Sequence, residues 1–168
     1  MATVPFTITV VGEGNTGITT FIHYLKNMTG GRSDSDGTNF KPDVGVTLFD
    51  LTTNNGNVRF ELHEIADRDI CRQTHYEKTD AFIVMYDATS PETHVVSSFV
   101  MDIAQTCPKV PIIIVANKID CDGISEADIQ AIEDTDVIPM SAKTGRNCFK
   151  VIDSILTILV GKDTYIEG

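Results

Sequence analysis

The sequence predicts a doubly wound α/β fold with a six-stranded sheet, mostly parallel, and helices on both faces. Short β-branched, apolar runs alternate along the chain with segments of helical periodicity. The polar motifs also follow the ends of strands, where ligands bind in open α/β sheets. The length of 168 residues, 42% of them apolar, suits one domain spanning residues 1–168.

Each element follows from a local pattern. The predicted strands are Phe6–Val11, Val46–Thr53, Val58–His63, Ala81–Asp87, Ile112–Asn117 and Val137–Met140, and the predicted helices are 17–26, 91–107, 125–132 and 147–160. The Asn55-Gly56 pair predicts a hairpin, so the second and third strands should be antiparallel and the others parallel. Ser90, before Pro91, and Ser125 are predicted to cap the helices that follow them.

Composition excludes several classes of function. The net charge of -11 and the pI near 4.6 argue against binding to nucleic acid or to an anionic membrane. The four cysteines form no Cys-x-x-Cys pair and no signal peptide is recognisable, so we expect a reducing compartment, the cytoplasm or the nucleus. We expect neither a transmembrane segment nor a lipid anchor. The four histidines have no spacing typical of a metal site.

A glycine-rich loop follows the first strand. The segment Gly12–Thr19 has the pattern Gly-x-x-x-x-Gly between a strand and a helix, which offers backbone N–H groups and a helix N-terminus to a phosphate. The Thr19 hydroxyl is placed to reach a magnesium ion. Alone, the segment is equally compatible with a simple chain reversal. Its candidate nucleotide-binding residues are Gly14, Asn15, Thr16, Gly17, Ile18, Thr19 and Thr20.

Two later motifs point to guanine. In Asn117-Lys118-Ile119-Asp120, the Asp120 carboxylate can accept hydrogen bonds from N1–H and the 2-amino group of guanine, a donor pair that adenine lacks. The Lys118 stem can cover the ring, and Asn117 can brace the glycine-rich loop. In Ser141-Ala142-Lys143, the N–H of Ala142 can reach the guanine O6. Although Asn-Lys-x-Asp alone is often a surface turn, the combination predicts a site for GDP or GTP.

With these motifs in place, the chain resembles a Ras-superfamily small GTPase over nearly its whole length. Within that superfamily, residues 16–21 and 85–90 are most similar to the Ran and Rab subfamilies. The resemblance implies a guanine nucleotide with Mg²⁺ as cofactor. It also implies protein effectors or regulators that bind through residues 28–45 and 65–76.

The phosphate side departs from the family pattern. Ile18 stands where the family has the phosphate-binding lysine, and Glu64 stands at the aspartate of the Asp-x-x-Gly motif, whose glycine is replaced by Asp67. Arg68 replaces the glutamine that orients the attacking water, and Asp43 replaces the first-switch threonine. The resemblance assigns Thr19, Asp43 and Glu64 to the metal, and we assign no catalytic residue.

These departures weaken the expected binding of a triphosphate. Loss of the lysine contact costs roughly 1.5 to 3 kcal/mol, and each carboxylate of Asp43 and Asp67 costs about 3 kcal/mol near a γ-phosphate. After partial compensation, a net loss of about 4 to 6 kcal/mol weakens GTP binding roughly a thousandfold to ten-thousandfold. We therefore expect a guanine-nucleotide-binding protein with impaired or absent hydrolysis. The alternatives are an active GTPase switch and a nucleotide-free scaffold.

Overall fold

A computed structural model describes residues 5–30, 32–33, 44–65, 76–132 and 134–167. Its strands are β1 (Phe6–Val11), β2 (Arg32–Ser33), β3 (Val44–Thr53), β4 (Gly56–Ile65), β5 (Ala81–Asp87), β6 (Ile112–Asn117) and β7 (Val137–Pro139). Its α-helices are α1 (Ile18–Thr29), α2 (Thr93–Thr106) and α3 (Cys148–Leu159), and a 3₁₀ turn covers Glu126–Asp128. None of the helices in these ranges has the length and apolarity needed to cross a bilayer.

The strands found in the described residues form one mixed sheet in the order β2-β3-β4-β1-β5-β6-β7. The neighbours from β4 to β7 are parallel, while β3 and β4 form the antiparallel hairpin, in which Gly56 has a φ of 109°. These observations confirm the predicted doubly wound sheet and its hairpin. The edge strand β2, antiparallel to β3, is an addition. Two residues are too few to produce the alternating pattern by which a strand is recognised.

Helices cover both faces of the sheet, as predicted. On one face, α1 and α3 pack through buried residues such as Phe21 and Ile155. On the other, α2 packs Phe99 and Ile103 against Phe82. The sheet is therefore fixed between two apolar layers, and the loops at the carboxyl ends of β1, β5, β6 and β7 come together at one edge.

The prediction of a helix over residues 125–132 is wrong. Only the 3₁₀ turn forms, and Ile129 is already extended, with φ −86° and ψ 113°. Ser125 does cap this turn, since its Oγ accepts a hydrogen bond from the N–H of Ala127 (3.2 Å). A segment of eight residues with β-branched Ile129 and Ile132 is too short to stabilise a helix without extensive packing.

The predicted cap at Ser90 is also wrong, because α2 begins later. Its N-cap residue is Glu92, which makes no side-chain capping bond within the described residues. The N–H of Ser90 instead donates to the carbonyl oxygen of Asp87 (3.2 Å), which closes a turn directly after β5. The chain thus reverses before the helix starts.

Candidate functional site

The glycine-rich loop presses closely against the sheet. A Cβ atom on Gly12 would lie 2.4 Å from the carbonyl oxygen of Met85 in β5, so only glycine fits there. Asn15 and Gly17 have positive φ angles of 65° and 96°. The helix α1 starts at Ile18 without a side-chain cap among the described residues, so its first N–H groups remain available to an anion.

Asn117 joins this loop to the loop after β7. Its side chain is 2% exposed; Nδ2 donates to the carbonyl oxygen of Thr16 (2.8 Å), and Oδ1 accepts from the N–H of Ala142 (2.9 Å). The brace expected from the sequence is therefore present. Because the Ala142 N–H is already engaged, a guanine O6 would have to share it with Asn117.

Gly17→Ala should break the hydrogen bond from Asn117 to the carbonyl oxygen of Thr16. The new Cβ would lie 2.2 Å from Nδ2 of Asn117, and the φ of 96° is unfavourable for alanine. We expect the free energy of unfolding to fall by about 2 kcal/mol or more. Urea unfolding measures it, with Gly14→Ala as the control, since no atom lies within 4 Å of that Cβ. Equal effects of the two substitutions would contradict this account.

Lys118 is anchored by two acceptors. Its backbone has a φ of 71°, and its Nζ donates to the carbonyl oxygen of Asn15 (2.5 Å) and to Oδ2 of Asp87 (2.7 Å). Asp87 is held in turn by the N–H of Thr89, which donates to Oδ1 (2.8 Å). The lysine stem is thereby fixed beside the glycine-rich loop.

Asp87 is a site residue that the sequence analysis missed. It ends β5 and lies opposite Asn117 in the parallel β5–β6 register. Its position at the carboxyl end of a central strand was the available signal, since ligands gather at that edge. The side-chain partner, however, lies 31 residues away in sequence and became visible only in the structure.

Asp87 should also make stability depend on pH. Burial would raise the pKa of Asp87, but hydrogen bonds from Lys118 and Thr89 outweigh it, so the pKa lies below the usual 3.8. A lowered pKa in the folded state stabilises the fold above the ordinary value, and that contribution is lost as pH falls through the folded value. Melting temperatures from neutral to acid pH should show Asp87→Asn less stable at neutrality, with the difference shrinking below about pH 4. A difference independent of pH would contradict the ionic role of Asp87.

Asp120 is oriented by a buried serine. The Oγ of Ser141, which is 0% exposed, donates to Oδ1 of Asp120 (2.8 Å) and accepts from the N–H of Thr144 (3.1 Å). Asp120 itself is exposed, as is Lys143. A carboxylate that is fixed through one oxygen and open to solvent can accept hydrogen bonds from two adjacent N–H donors.

The phosphate side is arranged differently. Ile18 is only 8% exposed and belongs to the core beneath α1, while Thr20 is exposed. The hydroxyl of Thr19 donates to Oε1 of Glu64 (2.5 Å), which brings together two of the three residues expected to bind metal. The third, Asp43, lies outside the described residues, as do Asp67 and Arg68. Across the described part of the chain, no three His, Cys, Asp or Glu side chains cluster as a metal site would require.

The doubly wound sheet and the loops joined at its carboxyl edge define the class as an α/β domain with a Ras-like fold. The model of the Ras family matches residues 7–160, so the chain belongs to the Ras family of small GTPases. That family binds guanine nucleotides and the proteins that regulate or respond to them.

Proposed function

We propose that this protein binds a guanine nucleotide, hydrolyses GTP slowly or not at all, and acts through protein contacts of residues 28–45 and 65–76. The observation that carries the proposal is the difference between the two halves of the site. Asp120 and Lys118 are held in place by hydrogen bonds on the guanine side. On the phosphate side, a buried Ile18 replaces a cation and Glu64 takes the Thr19 hydroxyl.

In this proposal the base is recognised by Asp120, while Lys118 covers the ring. The phosphates would lie against the N–H groups of the loop from Gly14 to Thr20. Glu64 belongs to β4, and its carboxylate lies against Thr19 on the first turn of α1. A negative charge there is favoured by the helix dipole but repels a phosphate. Each further phosphate therefore contributes less binding free energy than it would beside a lysine. For this reason GDP should bind more tightly than GTP.

Magnesium, if bound, would be held by Thr19 and Glu64, with Asp43 as a further candidate. Two oxygen-bearing side chains in contact suit this ion, which prefers oxygen ligands and neutralises phosphate charge when bound. Because glutamate is one methylene longer than the family's aspartate, it reaches the Thr19 hydroxyl directly. We infer that Glu64 limits the part that magnesium plays in nucleotide binding.

Glu64→Asp should therefore increase the dependence of GDP affinity on magnesium. The shorter side chain would release Thr19 as an oxygen ligand and leave room for the ion. We expect the ratio of GDP affinities with and without magnesium to rise by about tenfold relative to the wild type. Calorimetric titration in magnesium or in a chelator measures this ratio, and Glu61→Asp on the same strand is the control. An unchanged ratio would show that Glu64 does not control the metal.

The test of the proposal is a thermal shift with guanine and adenine nucleotides, followed by a GTP turnover assay. A rise in melting temperature specific for guanine, without significant turnover, supports the proposal. Turnover that Asp120→Ala abolishes would identify an active switch instead. No shift with any guanine nucleotide would identify a nucleotide-free scaffold. Similarity to the Ran and Rab subfamilies, and residence in the cytoplasm or nucleus, remain predictions.

A further inference from the structure

The crossover from β6 to β7 contains no α-helix in its described residues. Parallel neighbouring strands are usually joined by a helix that packs on the sheet. In the described part of residues 118–136, the only helical element is the 3₁₀ turn Glu126–Asp128. A cavity of about 480 Å³ lies between this crossover and the start of α2. We call it the crossover groove.

The crossover groove is lined by apolar and polar groups in about equal measure. Its apolar lining includes Ala88, Pro91, Ile124 and Ile129. Tyr86 also lines it, is 9% exposed, and makes no hydrogen bond through its hydroxyl to any described residue. Burial raises the pKa of Tyr86. A cavity that combines apolar walls with a few polar groups has the character of a binding site.

One wall of the groove is the segment 129–132, which is extended at Ile129 (φ −86°, ψ 113°). Gln130 and Ala131 are exposed, and their backbone groups make no hydrogen bond to other residues in the described ranges. Directly after them, Ile132 exchanges two backbone hydrogen bonds with Thr135 (3.1 and 2.9 Å), which form an isolated antiparallel β-bridge. An exposed extended backbone can pair with a strand from another protein.

The surroundings of the groove are strongly acidic. Residues 119–136 include seven Asp or Glu and no Lys or Arg. Asp122 and Asp128 are both exposed, whereas Glu126 is paired with Arg146 (2.7 Å). The field of such a segment attracts cationic partners and repels anionic ones.

We propose that the crossover groove binds an extended, basic peptide segment of a partner protein. Alternate apolar side chains of that segment would enter the cavity toward Tyr86, and the lysine or arginine side chains between them would face Asp122 and Asp128. Its backbone would pair with Gln130 and Ala131. This surface adjoins the loop that carries Asp120, but it uses none of the residues assigned to the nucleotide, so binding of the peptide requires no nucleotide.

The first experiment measures fluorescence anisotropy with labelled seven-residue peptides. The probe is an alternating Lys-Val-Lys-Val-Lys-Val-Lys peptide, and its control is a blocked Lys-Lys-Lys-Lys-Val-Val-Val peptide with the same composition and charge. The alternating peptide should bind at least about tenfold more tightly, because only alternation places all the valines on one face of a strand. Equal affinities, or no binding of either peptide, would overturn the proposal.

The second experiment locates the binding surface. Asp128→Lys and, independently, Asp122→Lys should each weaken binding of the alternating peptide by at least about fivefold. Asp153→Lys is the matched control, because Asp153 is exposed on α3 and the substitution changes the net charge equally. It should change the affinity by less than about twofold. Equal weakening by all three folded variants, checked by thermal melting, would show nonspecific attraction and overturn the proposal.

Discussion

Asp120→Ala is expected to abolish selective binding of guanine nucleotides. The carboxylate would accept two hydrogen bonds from the base, each worth roughly 1.5 to 3 kcal/mol for a charged acceptor. Their loss weakens binding by at least about a hundredfold. Because Asp120 is exposed and only Ser141 donates to it among the described residues, the fold should tolerate the change. Calorimetric titration with GDP measures the loss, and thermal melting without ligand confirms that the variant folds.

Asp122→Ala is the matched control for this prediction. Asp122 is an exposed acid two residues further along the same loop, so its removal changes the net charge equally. It should leave GDP affinity within about twofold of the wild type. If Asp120→Ala bound GDP as tightly as the control, the base would be recognised elsewhere, and the assignment of Asp120 would be wrong.

Ile18→Lys is expected to have two opposite effects. Without nucleotide, the variant should be destabilised by about 2 to 4 kcal/mol, since a well-packed core side chain is removed. With GTP, the lysine stem can follow the path of Ile18 while its ammonium group reaches the phosphates. Affinity for GTP should then rise by roughly tenfold to a hundredfold, the equivalent of one charge-assisted hydrogen bond. Urea unfolding and GTP titration measure the two effects.

Ile18→Met separates packing from charge. Methionine fills a similar volume without a charge, so it should affect stability by less than about 1.5 kcal/mol and leave GTP affinity unchanged. A gain in affinity for Ile18→Lys but not for Ile18→Met would show that the loop can still hold phosphates. No gain in either variant would show that the loop has lost this capacity, and the proposed function would fail at that point.

The sheet and the position of the motif from Asn117 to Asp120 could be predicted because they depend on local patterns. Each central strand is a buried, β-branched run, and the motif from Asn117 to Asp120 follows one of them directly. The brace from Asn117 to Thr16 was predictable once the loops were assigned to the same edge. Such features require only the sequence and the rule that ligands gather at the carboxyl ends of strands.

The features that could not be predicted from the sequence depend on tertiary packing. The burial of Ile18 could not be read from the sequence, because at the start of a helix the same residue could face either the core or the loop. The contact from Thr19 to Glu64 joins residues 45 positions apart. Likewise, the helix predicted over residues 125–132 does not form. The capping pattern at Ser125 did not outweigh the weak helix preference of such a short segment.

The central claim is that the guanine side of the site is retained while the γ-phosphate is poorly accommodated. The most direct measurement is the ratio of the dissociation constants for GDP and GTP, determined on nucleotide-stripped protein with and without magnesium and with ATP as control. The account predicts guanine-selective binding with GDP tighter than GTP by at least about tenfold. Binding of GTP as tight as that of GDP, accompanied by turnover, would contradict it.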